Sequence, residues 1–461
     1  MKRFELSDLH IGAHIHFIGI GGISMSGLAV ILLQMGYKVS GSDRQKSHIT
    51  DKIEKLGATV FEGHNSKNIQ GADLVVHTAA VKQDNPEMLA ATEKGIKLID
   101  RAECLGAIMK NYKNAVGVSG THGKTTTTAM LTHALLYAKK DPTISIGGEL
   151  DIIDGNIRAG KSEYFVTEAC EYTNSFLKFY PYISVITNIE EDHLDFFSGI
   201  EEIRESFSSF AMLTKNCGYV VANGDDVNIT IALANKDLNV VYYGKDYNSD
   251  YYYDKLKFNK GYPEFDVIYQ GEYKCHIKLN VPGMHNVLNA LAVVAVCELL
   301  GIEAETAARG IETFGGIHRR FEKLGEVNKA SVVADYAHHP TEIAATIKAC
   351  KEFDYSKIWC VFQPHTYTRT KTLWNDFIKC FDGVDKLIIT DIYAAREPYD
   401  GVTKASDLAE DISKNGIDTV YIEGFDDICT YLKNELKEGE IVFVMGAGDV
   451  INIGKKLVED K

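Results

Sequence analysis

The sequence predicts an α/β protein organised in three units, and three observations carry that prediction. Apolar runs of strand length alternate with helical stretches along most of the chain, the pattern of parallel sheets. Two of these runs open directly into glycine-rich loops. The 461 residues also exceed one typical core, and at about 150 residues per domain they suggest about three.

The first unit begins with the run His14 to Ile18 and the loop Gly19-Ile20-Gly21-Gly22, followed by a helical stretch from Met25 to Met35 and a strand from Tyr37 to Ser42. Asp73 to Thr78 and Lys97 to Asp100 read as further strands. The second unit opens with Asn114 to Ser119 and continues through Tyr164 to Glu168 and Ile183 to Asn188, apolar strands with polar residues at their carboxyl ends, where open α/β sheets collect ligands. Tyr242 to Tyr273 alternates in polarity and reads as a small antiparallel excursion. The third unit has strands at Ser331 to Asp335, Ile358 to Gln363 and Leu387 to Asp391, and closes with Ile441 to Met445 and Gly446-Ala447-Gly448-Asp449. Boundaries near 112 and 318 divide the chain into 1–112, 113–317 and 318–461.

With 45% apolar and 25% charged residues, composition is that of a soluble globular protein. No apolar stretch approaches the roughly 18 residues a membrane helix needs, and Met-Lys-Arg-Phe-Glu-Leu-Ser-Asp at the start lacks a signal-peptide core, so a cytoplasmic protein is expected. The nine cysteines (104, 170, 217, 275, 297, 350, 360, 380, 429) are scattered and never form C-x-x-C, which fits reduced, packed thiols. A net charge of −15 disfavours nucleic acid and anionic membranes as partners, so anionic substrates need local positive sites.

Gly120-Thr121-His122-Gly123-Lys124-Thr125 follows a strand and precedes a helix, which aims backbone N–H groups and the positive helix end at one point. That geometry suits a polyphosphate, with Lys124 reaching the terminal phosphates and the Thr125 hydroxyl holding magnesium. The spacing is G-x-x-G-K-T, because Val118 stands where the longer motif has its first glycine. Lys124 reads as an exposed loop residue that packs against no core. The earlier loop, Gly19, Gly21, Gly22 and Ser24 with Asp43 at the end of the next strand, resembles a dinucleotide fingerprint whose third glycine is replaced by Ser24. Taken alone it allows an NAD-dependent oxidoreductase; beside a separate ATP-type loop it points to a nucleotide-linked substrate.

Six segments together resemble the Mur ligase family: Gly19 to Gly27, Gly120 to Thr126, Thr187 to Asp195, Pro282 to Ala290, His318 to Glu322 and Asp335 to Glu342. The resemblance runs in order over essentially the whole chain and implies a Rossmann-like N-terminal domain for a UDP-sugar, a central P-loop ATPase domain and a C-terminal Rossmann-like domain that closes over the site. It implies ATP and Mg2+ as cofactors, with UDP-N-acetylmuramate and L-alanine as substrates of the alanine-adding branch. In the family, ATP phosphorylates the lactyl carboxylate, an amine attacks the acyl phosphate, and phosphate leaves. A recycling branch that attaches a ready-made peptide to the same sugar stays open as an alternative.

By the same resemblance Glu168 and His193 help Thr125 hold magnesium, although magnesium chemistry alone prefers oxygen ligands. Glu171 and Glu190 are nearby acids with weaker claims. Sister ligases carry a carbamylated lysine after the histidine loop, and here no lysine occurs between Leu194 and Thr214. The family places Thr126 in the phosphate loop, Asn286 and Asn289 near adenine, and an arginine, here Arg319 ahead of Arg320, on ATP phosphates. His338, His365 and Arg369 are the third unit's candidates for substrate; the family has an arginine where Thr366 stands, which leaves Arg369 to grip an anion. His338 and His339 adjoin, and adjacent histidines rarely chelate one metal together, so zinc is not expected on that pair.

Overall fold

The computed structural model describes residues 4–78, 80–214 and 218–459. Three sheets account for the strands. The first holds β1 (His14–Ile18), β2 (Lys38–Asp43), β3 (Thr59–Glu62), β4 (Leu74–His77) and β5 (Lys97–Asp100), in the order β3-β2-β1-β4-β5. All its pairings are parallel. Ile15, Phe17 and Ile18 of the central strand are fully buried, so burial on both faces explains the near-continuous apolar run. The loop after β1 leaves at the point where strand order reverses, the usual ligand crevice of such sheets. The helix Ile23–Gln34 follows, and a Cβ on its Gly27 would collide with the Ile157 side chain of the second unit, so the two pack at backbone distance.

The second sheet has ten strands: β6 (Asn114–Ser119), β7 (Thr143–Leu150), β8 (Gly155–Arg158), β9 (Tyr164–Glu168), β10 (Ile183–Ile186), β11 (Tyr219–Asn223), β12 (Val240–Gly244), β13 (Tyr251–Asn259), β14 (Tyr262–Tyr269) and β15 (Glu272–Lys278). Their order is β15-β14-β13-β12-β11-β10-β6-β9-β7-β8. The stretch from Tyr242 is therefore no separate excursion. Its first strand pairs parallel with β11, and only β13 to β15 turn antiparallel, extending the central sheet. The helix Met284–Leu299 lies against this sheet, with an apolar body buried from Ala290 to Cys297.

The third sheet contains β16 (Glu322–Val327), β17 (Ala330–Asp335), β18 (Ile358–Phe362), β19 (Lys386–Ile389), β20 (Thr419–Tyr421) and β21 (Ile441–Met445), ordered β16-β17-β21-β18-β19-β20. Only the edge pair β16 and β17 is antiparallel. Pro340 opens the helix Pro340–Cys350 at its first position, and His339 caps it, so the loop from Asp335 to His339 is short and fixed. No described helix is long and apolar enough to cross a membrane. The eight described cysteines are all free and seven are buried; Cys217 lies outside the described residues.

Candidate active site

The phosphate loop is built by glycine. Gly120 sits at φ +138, where a Cβ would run into the Thr187 hydroxyl. Gly123 at φ +82 starts the helix Lys124–Tyr137 without any side-chain cap, and its missing Cβ leaves room for Asn289 Oδ1 at 3.1 Å. An uncapped helix start presents N–H groups that lack intrahelical partners, which is what a phosphate needs. The loop is clamped from β10's end: Asn188 Oδ1 accepts from the His122 N–H at 2.8 Å, its Nδ2 donates to the His122 carbonyl at 3.0 Å, and Thr187 donates to that same carbonyl at 2.6 Å.

Lys124 departs from the sequence expectation. It is the first residue of the helix, its side chain is only 17% exposed, and its ammonium folds back onto the Gly120 and Thr121 carbonyls. It also donates to both carboxylate oxygens of Glu171 at 3.1 Å. Burial alone would lower its pKa; the Glu171 charge outweighs burial and raises it. A strand-end acid can meet a charge that composition would leave in solvent.

Glu168, at the end of β9, is fixed by the Gly147 N–H at 2.6 Å. Gly147 and Gly148 let β7 pass this close: a Cβ at 147 would sit 2.9 Å from Glu168 Oε2, and one at 148 would sit 3.2 Å from Thr125 Cγ2. Burial raises the Glu168 pKa, against the Gly147 N–H, the Lys124 charge and the Thr125 hydroxyl. A half-buried carboxylate beside a hydroxyl and a phosphate loop fits a magnesium ion, so Thr125 and Glu168 suit the expected role. His193 is placed differently. Held at φ +52 and packed on Tyr172 at 4.6 Å, it meets Glu171 at 3.7 Å rather than completing a cluster with Glu168. Glu171, 3% exposed, thus touches both Lys124 and His193 and is more central than the sequence suggested.

Behind the loop a cavity is lined by Gly123, Thr126, Asn286, Asn289, Ile317 and Arg320. Asn289 donates to Asn286 Oδ1 at 3.1 Å, and Asn286 donates to the Pro282 carbonyl at 2.7 Å, so both amides are oriented. The arginine expected here is corrected by one residue. Arg319 turns away, donating to the Gly446 and Gly448 carbonyls at 2.7 and 2.8 Å and stacking on Tyr336. Arg320 faces the cavity and pairs with Glu342 at 3.3 Å. Arg319 and Phe321 both lie at positive φ, +63 and +49, in this turn, and both guanidiniums sit over the Tyr336 ring at 4.7 and 5.2 Å, although only Arg320 lines the cavity.

In the first unit Gly19, at φ +86, passes Thr78 at a distance that leaves no room for a side chain, and Gly21 donates its N–H to Asp43 at 2.9 Å. Asp43 therefore props the loop as well as ending β2, while Gly22 caps and Ser24 enters the following helix. Beneath it Glu87 is fully buried, accepting from Ser42 at 2.5 Å and Asn68 at 2.6 Å. In the third unit His338 Nδ1 stands 3.0 Å from the Tyr336 carbonyl, His365 stacks on Tyr393, and Arg369 lies 3.0 Å from His365. Arg369 is already engaged, donating to Asp192 at 2.9 Å across the gap to the His193 loop. His365, Arg369 and Asp192, with Tyr172, His193 and Arg396, line a cleft between the second and third units, whereas His338 packs edge-on against His365 and is not part of that lining.

Known families account for nearly the whole chain. The family description "Mur ligase family, catalytic domain" matches residues 14–113, "Mur ligase middle domain" residues 118–297, and "Mur ligase, glutamate ligase domain" residues 319–448. The chain belongs to the Mur ligase family. Among the relatives of this Mur ligase, the UDP-N-acetylmuramate--L-alanine ligase of Acetivibrio thermocellus is 50% identical over 100% of this chain and 99% of that protein. That of Caldanaerobacter subterraneus subsp. tengcongensis is 51% identical over 98% and 99%. Of solved structures, a UDP-N-acetylmuramate-alanine ligase from Thermotoga maritima aligns with TM-score 0.78 at 30% identity over 97% of this chain and 98% of that one. A murein peptide ligase from Psychrobacter arcticus shares the fold, with TM-score 0.68 at 24% identity over 97% and 98%.

For this Mur ligase, sequence reading missed Asn188, Glu171, Arg320 and Glu342 as organisers of the site. Asn188 was within reach, since it ends an apolar strand-like run just as Glu168 and Asp335 do. Glu342 was not, because its contact with His122 at 3.3 Å depends on the third unit's docking, and those with Arg320 and His338 at 3.3 and 3.2 Å depend on the loop geometry of its own unit.

Proposed function

We propose that this enzyme joins L-alanine to the lactyl carboxylate of UDP-N-acetylmuramate, using ATP and an acyl-phosphate intermediate, in cytoplasmic synthesis of a peptidoglycan precursor. The observation that carries it is the juxtaposition of Lys124, Thr125 and Glu168 at the carboxyl edge of the central sheet, between the cavity lined by Asn286, Asn289 and Arg320 and the cleft that holds Arg369 and His193, in a chain about half identical to alanine-adding ligases over its full length. Residues 1–112 would bind the UDP-sugar on the loop Gly19 to Ser24, residues 113–317 would hold ATP, and residues 318–461 would close over both.

A carboxylate is a poor electrophile, so ligation in water needs a leaving group. In-line transfer of the γ-phosphoryl is mainly a task of positioning and charge neutralisation. Gly120, Thr121, His122, Gly123 and Thr126 would supply the loop that cradles the phosphates, Lys124 would exchange Glu171 for them, and Arg320 would approach from the third unit. Asn286 and Asn289 would meet the adenine edge. Thr125 and Glu168 would hold Mg2+, with His193 at the margin, and that ion would supply charge neutralisation at the γ-phosphate. The amine then attacks the acyl carbon while phosphate departs; the cleft between the units excludes the water that would otherwise hydrolyse the activated acid. His365 and Arg369 would meet substrate from the cleft, with His338 packed edge-on against His365.

Phosphate release measured with UDP-N-acetylmuramate and single amino acids tests this, with a peptide arm beside it. L-Alanine should drive release, glycine more weakly, since one methyl is worth about 1 kcal/mol or somewhat more. Preferential ligation of an alanine-starting tripeptide would make the chain a recycling ligase, and hydride transfer with NAD would make it an oxidoreductase.

A further inference from the structure

We propose that His122, Glu190 and His339 form a binding site for a dication of the Zn2+ class, bridging the phosphate loop and the third unit. Candidate ligand atoms of the three residues lie within 4.8 Å of one another. His122 Nε2 stands 3.6 Å from Glu190 Oε2, and His339 Nδ1 stands 4.0 Å from that same oxygen. Ligands on tetrahedral zinc at about 2.0–2.2 Å are separated by about 3.3–3.5 Å. Shifts of well under an ångström bring these two contacts to ligand spacing, and the imidazole pair, within 4.8 Å, closes by at most about 1.5 Å.

The second independent observation is how both rings are oriented. His122 Nδ1 faces the Glu342 carboxylate at 3.3 Å, so that nitrogen carries a proton and the other is left to bind. That other nitrogen, Nε2, is buried and has no hydrogen-bond partner. His339 Nε2 faces the Glu191 carbonyl at 3.3 Å, an acceptor only, so Nε2 is the N–H and Nδ1 holds the lone pair, which caps the Thr341 N–H at 3.3 Å until an ion takes it over. Metal-binding histidines are typically positioned in this way, each donating its second N–H to a carboxylate or carbonyl. Two imidazoles and one carboxylate select a borderline metal over magnesium, which demands oxygen. The site uses one of the adjacent pair only: His338 turns to the Tyr336 carbonyl and Glu342. Glu342 and Glu190 flank His122 at 3.3 and 3.6 Å with negative charge, which suits a cation there.

None of these three residues belongs to the Thr125 and Glu168 pair, so the two cations would be separate. Because the ligands come from both units, an ion here would pin the phosphate loop to the closed third unit, and Zn2+ would inhibit turnover in excess Mg2+.

Co2+ titration of the full-length protein in millimolar Mg2+ tests the site, with visible absorption as the readout. One equivalent should produce ligand-field bands that Zn2+ displaces. His339→Asn, which keeps a helix-capping side chain, should weaken binding at least tenfold. Glu190→Gln should do the same, and far-ultraviolet circular dichroism checks that each variant is folded. Absence of a one-to-one band overturns the proposal. So does a band that survives both substitutions and vanishes with Glu168→Gln, which would place the cobalt at the magnesium pair.

Discussion

Lys124 Nζ lies 3.1 Å from each carboxylate oxygen of Glu171, and the acid is almost wholly enclosed. The lysine assigned to ATP is thus neutralised before any nucleotide arrives, and phosphates must compete with a carboxylate for it. Lys124→Ala should lose about a hundred- to thousandfold in turnover, the usual effect of removing one preorganised charge contact. It should also lower thermal stability, because a buried acid left without its partner costs about 3–5 kcal/mol. Lys124→Ala combined with Glu171→Gln should recover the melting temperature but not the activity. A single variant as stable as wild type would show that the pair is energetically idle.

Glu168→Gln should raise the magnesium concentration needed for half-maximal activity at least tenfold, while His193→Ala should shift it less. The difference follows from geometry: Glu168 stands beside Thr125, and His193 stands against Glu171. Magnesium titrations of both variants decide it, and equal shifts would restore His193 as a full ligand.

The adjacent arginines should separate cleanly in kinetics. Arg320→Ala should raise the KM for ATP by about tenfold or more, the scale of one lost charge-assisted hydrogen bond of about 1.5–3 kcal/mol. Arg319→Ala should instead lower the melting temperature, since its guanidinium ties the linker to Gly446 and Gly448. An ATP defect confined to Arg319→Ala would reverse the assignment.

Glu87 predicts acid sensitivity in the first unit. Burial raises its pKa, but the His16 imidazole 3.7 Å away and hydrogen bonds from Ser42 and Asn68 prevail and hold it at about 2, below the ordinary 4.5. A depressed carboxylate stabilises the fold fully above the unfolded value, and that contribution fades as pH falls from about 4.5 through about 2. It amounts to about 3 kcal/mol. Chemical denaturation of wild type and Glu87→Gln across that window should show the gap between them closing as pH falls; a constant gap would contradict it.

Much of this site was legible because its chemistry is local. A strand, two glycines, a lysine and a hydroxyl within twelve residues, Asn114 to Thr125, need no tertiary information to announce a phosphate loop. Glu168 was legible for a related reason, as a polar end to an apolar strand. What escaped depends on partners remote in sequence or on single dihedral angles. Glu171 acquires its importance from Lys124, 47 residues away. Arg319 and Arg320 are chemically alike, and only the folded turn, which gives Arg319 the Gly446 and Gly448 carbonyls, decides which one lines the cavity. Tyr242 to Tyr273 announced strands by alternation, but alternation says nothing about the neighbour of the first strand, and β11 turned out to be waiting for it.

Gly27, lodged against Ile157, joins the first two units at a point with no slack. The helix bearing Gly27 springs from the first glycine loop, and Ile157 lies on β8, paired with β7, the strand whose Gly147 holds Glu168. A methyl group at 27 would fall inside the Ile157 side chain, so Gly27→Ala must push the helix or the hairpin aside. The substitution should therefore lower the melting temperature and disturb both loops together, although it lies in neither.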